Sequence, residues 1–176
     1  MAKETEVKIR ISPNDLEAVR NQLTKLGACL VSSRNRETNL LFDLPDQSLK
    51  QADCVLRLRT YGHKTTLTFK GIRQNNPLYK NRKELETRVA DSQILHQILE
   101  NLGMRICFEY EKFREIYRVD LDGQPVEICL DETPVGVFVE IEGHSDAIQK
   151  TAKNLGWSTD QFLTNTYVEL YKEKSN

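Results

Sequence analysis

The sequence predicts an α+β chain in which antiparallel strands curl into a closed barrel with helices packed on its outer face. Three observations predict it. A Glu-x-Glu strand followed by a helical stretch closing on Leu-Gly occurs three times: Glu4/Glu6 with Leu26-Gly27, Glu84/Glu86 with Leu102-Gly103, and Glu140/Glu142 with Leu155-Gly156. Strand after strand alternates charged and aliphatic residues, so each presents one polar and one apolar face. The helices can bury their apolar stripes only on the aliphatic faces, which turns the charged faces toward solvent or into a closed lumen. A twisted sheet of this many strands tends to curl, and closure removes its exposed edges.

Each element follows from local signals. A strand spans about residues 3–11, and Ser12-Pro13 then caps an amphipathic helix to Leu26 with Leu16, Val19, Leu23 and Leu26 on one stripe. Strand patterns follow at Arg34–Leu44, Cys54–Thr60 and Thr65–Lys70, with turns at Asp43–Asp46 and Tyr61–Lys64 and a short helical link at Lys50–Asp53. Gly71–Lys80, which holds Asn75-Asn-Pro77, is expected to be a mobile loop before the second Glu-x-Glu strand. The helix Asp91–Leu102 is expected to bury Ile94, Leu95, Ile98 and Leu102. Strands at Glu109–Leu121 and Val126–Asp131 flank the turn Asp122-Gly123, and Phe138–Glu142 follows a turn at Pro134 and Gly136. A third helix, Ser145–Leu155, and a last strand, Thr166–Tyr171, complete a single domain over 1–176.

Composition excludes several classes. With 25 Lys+Arg against 26 Asp+Glu, the net charge of -1 argues against capture of nucleic acid by bulk electrostatics. No apolar run approaches a membrane span and the amino terminus enters a polar strand, so a cytoplasmic protein with no membrane partner is expected. Cys29, Cys54, Cys107 and Cys129 form no Cys-x-x-Cys pair, which leaves zinc and redox motifs unsupported. His63, His96 and His144 form no cluster, and Tyr110, Tyr117 and Trp157 are expected to pack.

The polar faces carry the chemistry. Glu4, Glu6, Lys8 and Arg10 share one, as do Arg57 and Arg59; Thr66, Thr68 and Lys70; Arg82, Glu84, Glu86 and Arg88; Lys112, Arg114 and Arg118; Glu127 and Asp131; and Glu140 and Glu142. A single such strand is ordinarily just solvated. A lumen lined by both signs is costly unless a ligand completes it, because ion pairing seldom repays the desolvation of buried charges. Paired carboxylates suit hard cations such as Mg²⁺ or Mn²⁺, and guanidinium and ammonium groups suit phosphates. A triphosphate fits that inventory.

The motifs then become specific. Glu4-Thr-Glu-Val-Lys8 resembles the amino-terminal Glu-x-Glu-x-Lys signature of the CYTH superfamily, the triphosphate tunnel metalloenzymes. Leu56-Arg-Leu-Arg59, Thr68-Phe-Lys-Gly71, Arg82-Lys-Glu-Leu-Glu86, Lys112-Phe-Arg114, Leu130-Asp131 and Val139-Glu-Ile-Glu-Gly143 follow in that family's order. Thr166-Tyr-Val-Glu-Leu170 is similar to the Ser-Tyr-x-Glu-Leu ending of the class IV adenylyl cyclase-like branch, with Thr for Ser. The resemblance implies an eight-stranded antiparallel β-barrel, a triphosphate tunnel with helices outside.

By motif position it also implies that Glu4, Glu6, Glu140 and Glu142 bind metal, assisted by Asp131, Glu84 and Glu86. Lys8, Arg57, Arg59, Lys70, Arg82, Lys112 and Arg114 would hold phosphate oxygens, and Glu4, Glu6, Lys8, Lys112 and Arg114 would form the catalytic set. Arg10, Arg88 and Arg118 lack motif support and are expected nearer a tunnel mouth or the surface. The implied activity is a Mg²⁺- or Mn²⁺-dependent adenylyl cyclase converting ATP to cyclic AMP and pyrophosphate, in a possible homodimer. The rival is a triphosphatase acting on tripolyphosphate or thiamine triphosphate. Val55 stands where animal-type thiamine triphosphatases carry Trp, which weakens the thiamine substrate. A non-catalytic nucleotide-binding module is the third alternative, disfavoured because all three acidic pairs are intact.

Overall fold

A computed structural model describes residues 3–175, and the side chains of residues 5–174. Eight strands, β1 (Lys3–Ile11), β2 (Cys29–Asp43), β3 (Val55–Tyr61), β4 (Lys64–Gln74), β5 (Lys80–Val89), β6 (Arg105–Leu121), β7 (Gln124–Thr133) and β8 (Gly136–Glu142), hydrogen-bond in the order β1-β5-β4-β3-β2-β6-β7-β8 as a closed barrel. The helices are α1 (Leu16–Lys25), α2 (Ser48–Gln51), α3 (Ser92–Asn101), α4 (Ser145–Asn154) and α5 (Tyr167–Ser175). The expected eight-stranded antiparallel barrel with helices is therefore what the chain forms. Its residues group into two compact units, one built on Arg36–Gln74 and Arg82–Glu111, the other on Glu4–Asn35, Asn75–Asn81 and the chain from Lys112 onward.

In the second unit the pairing of β1 with β8 and of β8 with β7 sorts side chains into transverse rows. Val7 faces Ile141, which faces Ile128, and Ile9 faces Val139, which faces Leu130. These aliphatic rows are buried beneath Val19 and Leu23 of α1 and Ile148 and Ala152 of α4. The intervening rows are polar by the two-residue period: Glu127, Glu142 and Glu6; then Cys129, Glu140 and Lys8. Burial of one face thus fixes the register that lines up the charges on the other. The Leu-Gly punctuation works as read. Gly27 takes φ 80° and Ala28 N–H returns to Leu23 O at 2.9 Å, closing α1 with a left-handed cap that a Cβ would strain.

In the first unit, β3 pairs with β2 and β4, and Phe42, Leu58 and Leu99 form the core with Leu40, Leu56, Leu67 and Leu95 against it. Asp91 caps α3 by accepting from Gln93 N–H at 3.0 Å and Ile94 N–H at 2.9 Å. Its sequence holds two apolar stripes, and only Leu95 and Leu99 turn inward. Ile94, Ile98 and Leu102 are exposed, against expectation, because a ten-residue helix laid on one narrow sheet face can bury a single stripe.

Further boundaries differ, β6 starting at Arg105 and β8 at Gly136 among them. β2 starts at Cys29 and β5 at Lys80, so the expected Gly71–Lys80 loop shrinks to the residues between Gln74 and Lys80. The expected last strand is instead the helix α5. Thr166 and Glu169 form a reciprocal cap there: Thr166 N–H donates to Glu169 Oε2 at 2.6 Å and Glu169 N–H to Thr166 Oγ1 at 3.2 Å. That Thr-x-x-Glu signal outweighs the apolar alternation of a short segment.

Candidate active site

The second unit buries a cluster of opposite charges contributed by β1, β6, β7, β8 and α5. Asp131 is fully buried and accepts from Lys112 Nζ at 2.8 Å, from Arg114 Nε at 2.6 Å and Nη2 at 2.5 Å, and from the Tyr167 hydroxyl at 2.5 Å. Glu140 accepts from Lys8 and Arg114, with Lys112 Nζ at 3.9 Å. Burial pushes the Glu140 carboxyl up, but the charges of Lys8, Lys112 and Arg114 outweigh it and hold the group well below the usual carboxylate range. Burial and the neighbouring Asp131 and Glu140 raise the Tyr167 hydroxyl well above its ordinary value, so it stays a donor.

Among the described residues three cations, Lys8, Lys112 and Arg114, meet two carboxylates, Asp131 and Glu140, in this cluster. Such a network stabilises a fold poorly, since desolvating five charges consumes most of what their pairing returns. It is suited to receiving an anion. Beside it, Glu6 stands opposite Glu142 across β1 and β8 and pairs with Lys80 Nζ at 2.5 Å.

The first unit carries its own charged residues. Lys70 pairs with Glu84 and Arg59 with Glu86, each at 2.9 Å, and Thr68 Oγ1 donates to Glu86 at 2.8 Å. Burial alone would lower the Arg57 guanidinium, but Tyr110, Glu37 and Glu84 together raise it, so it remains a cation. Arg82 lies 3.7 Å from the Asp53 carboxylate and also binds backbone. Its Nε donates to Gly71 O at 2.7 Å and its Nη2 to Asp53 O, which ties two backbone segments together. Arg10 donates to Val135 O at 2.9 Å, while Arg88 and Arg118 are exposed.

The structure thus brings Lys8, Lys112, Arg114, Asp131 and Glu140 into one cluster, and within the first unit it joins Lys70 to Glu84 and Arg59 to Glu86. Glu4 lies on β1, but its side chain falls outside the described residues. Sequence reasoning missed Lys80, although extending the Arg82, Glu84, Glu86 alternation one step back would have found it. It also missed Glu37 and Asn39, buried on β2 and joined by a 3.0 Å hydrogen bond, which the same alternation marks. Tyr167 stood within the Thr166-Tyr-Val-Glu-Leu170 ending, but its spacing gave it no role at the site.

The donor set fits a hard cation in kind, because Glu6, Glu140 and Glu142 offer carboxylate oxygens on two adjacent strands. Among the described residues, no three acidic or imidazole groups already converge as a cage. Lys80 holds Glu6, and Lys8 and Arg114 hold Glu140, as counter-ions. Asp131, with four donors on it, serves the cations.

Comparison with known proteins shows the family and the fold. The family described as CYTH domain matches residues 2–175. A Methanocaldococcus jannaschii protein named "putative adenylate cyclase" is 28% identical over 176 residues, covering 94% of this chain and 97% of that one. The structure titled as a "putative adenylate cyclase" from Vibrio parahaemolyticus gives a TM-score of 0.80 at 18% identity, over 96% of this chain and 97% of that one. A Hippeastrum "putative adenylyl cyclase" titled as revealing a dominant triphosphatase activity gives 0.68 at 17% identity, over 97% and 96%. At those identities the two solved structures establish a shared fold. No helix among the described residues is long and apolar enough to cross a membrane.

Proposed function

The chain belongs to the CYTH family of metal-dependent triphosphate tunnel enzymes, and on that premise we propose that it is an adenylyl cyclase that converts ATP to cyclic AMP and pyrophosphate. The observation that carries a triphosphate substrate is the convergence of Lys8, Lys112 and Arg114 around the buried Asp131 and Glu140. An ammonium or guanidinium about 4 Å from a phosphate oxygen contributes roughly 4 kcal/mol at an effective dielectric of 20, before desolvation. Three of them grip a polyphosphate and hold it in line.

Glu6, Glu140 and Glu142, with Glu4, would hold the Mg²⁺ or Mn²⁺. When bound, the metal lowers the pKa of the ribose 3′-hydroxyl and neutralises phosphate charge. In the reaction the 3′-hydroxyl gives up its proton and its oxygen bonds to the α-phosphorus as the bridge to the β-phosphate breaks. Lys8, Lys112 and Arg114 take up the charge that gathers on the departing pyrophosphate. Asp131 and Glu140 keep those cations aimed, since each carboxylate fixes at least two of them. Arg57, Arg59 and Lys70 are proposed as further phosphate ligands from their motif positions.

The second reading is a triphosphatase, favoured by the dominant triphosphatase activity described for the Hippeastrum protein. The same cations would serve it, with water attacking the terminal phosphate. Purified protein with Mg²⁺ or Mn²⁺, offered ATP, tripolyphosphate and thiamine triphosphate, decides by its products. Cyclic AMP with pyrophosphate supports the cyclase. Orthophosphate without cyclic nucleotide overturns it in favour of the triphosphatase.

A further inference from the structure

Tyr167 opens α5, the helix at the carboxyl-terminal end, yet its side chain is buried in the cluster that β1, β6, β7 and β8 build. It touches the cluster in two ways. Its hydroxyl donates to Asp131 Oδ2 at 2.5 Å, and its ring centroid lies 4.4 Å from Lys8 Nζ and 4.5 Å from Lys112 Nζ. Phe138 meets the ring edge-on, with centroids 5.7 Å apart and planes at 77°. The reciprocal cap between Thr166 and Glu169 fixes the helix start one residue away. The ring is therefore held from both sides.

We propose that Tyr167 is a positioning residue for the triphosphate, holding Lys8, Lys112 and Arg114 where their charges reach the phosphates. This rests on the triphosphate reading above. A carboxylate offers about four acceptor sites, and Asp131 receives four donor contacts, three of them from cations. The hydroxyl is the neutral one. It occupies acceptor capacity on Oδ2 without adding charge, which weakens the hold of Asp131 on Lys112 and Arg114, already in contact with it at 2.5 to 2.8 Å. The π-face of the ring does the complementary work, since it attracts both ammonium groups and offsets part of their mutual repulsion. Together the two effects keep three like charges close while leaving them competent to meet an anion. Without the hydroxyl, Asp131 would bind Lys112 and Arg114 more strongly and compete with the phosphates for their charge.

The test is calorimetric titration of tripolyphosphate into wild-type protein and Tyr167→Phe, which loses the oxygen and keeps the ring. The expected result is a roughly tenfold weaker affinity for tripolyphosphate with Tm within about 2 °C of wild type, since Asp131 keeps its three charged donors. Tyr167→Leu, which also removes the ring, should weaken binding further than Phe. In turnover the Phe variant should show the loss in KM, with kcat within about twofold. Wild-type affinity in the Phe variant overturns the proposal. So does a loss of affinity that comes with a matching loss of Tm, or failure of the Phe variant to fold, because the hydroxyl would then serve the fold. If wild-type protein binds no tripolyphosphate and no ATP, the triphosphate reading itself falls first.

Discussion

Glu6 on β1 stands directly opposite Glu142 on β8. Like charges at facing positions on adjacent strands are destabilising, so this row calls for a cation, and Lys80 supplies one to Glu6 at 2.5 Å. The same two carboxylates are the proposed metal ligands, which makes Lys80 a counter-ion that a divalent ion would displace.

Glu6→Gln removes one hard anionic oxygen while keeping the side chain's size. Turnover of the accepted triphosphate should fall by roughly a hundredfold, while Tm moves by no more than about 3 °C. The small stability change follows because the lost pair with Lys80 is offset by relief of the repulsion from Glu142. Near-wild-type activity at saturating Mg²⁺ and Mn²⁺ would remove Glu6 from the metal set.

Lys112→Ala deletes one of the three cations gathered around Asp131 and Glu140. Affinity for tripolyphosphate should fall by roughly 10- to 100-fold, the range of one charge-assisted contact, while affinity for adenosine changes by less than about twofold. Equal losses for the two ligands would show that Lys112 does not grip phosphate.

Glu115 fastens α1 to β6: its carboxylate accepts from Arg20 Nη2 at 2.6 Å and Nε at 3.1 Å, and from the Tyr117 hydroxyl at 2.9 Å. Burial pushes the carboxyl up, but the bonds from Arg20 and Tyr117 outweigh it and hold it below its ordinary value. A depressed folded-state value stabilises the fold fully above the unfolded glutamate value and is lost as pH falls through the folded value. The urea midpoint of wild-type protein should therefore drop more steeply on acidification below about pH 4.3 than that of Glu115→Gln. Parallel pH profiles for the two would refute the assignment.

Glu169→Ala removes half of the reciprocal cap on α5. It should cost about 1 kcal/mol and speed hydrogen exchange across residues 167–171. Because Tyr167 lies in the first turn, tripolyphosphate affinity should weaken as well. Unchanged exchange would mean that burial of Leu170, and not the cap, holds the helix start.

Much of the barrel was legible because its signals are local or periodic. The two-residue alternation of β1, β6 and β8 announces which face is buried, and the Leu-Gly endings of α1, α3 and α4 need only the chain's own geometry. The segment at 166–171 was misread because a few alternating residues satisfy a strand pattern and a capped helix alike. α3 was overfilled with buried residues for a related reason. A helical period identifies apolar stripes, but the width of the sheet beneath decides how many are covered.

By itself the sequence determined the composition of the candidate site: paired carboxylates, cations on alternating positions, and a strand order in which these recur. These are properties of residue type and spacing, and period-two side-chain direction converts them into a charged face without further information. Which charge meets which was decided only by tertiary structure. Tyr167 reaches Asp131 across 36 residues of chain, Lys80 reaches Glu6 across 74, and Arg82 turns to the backbone of Gly71 and Asp53, with the Asp53 carboxylate 3.7 Å away. The physical reason is that pairing energies between buried charges depend on distances of a few ångströms and on desolvation, and strand register and packing of the aliphatic face set both.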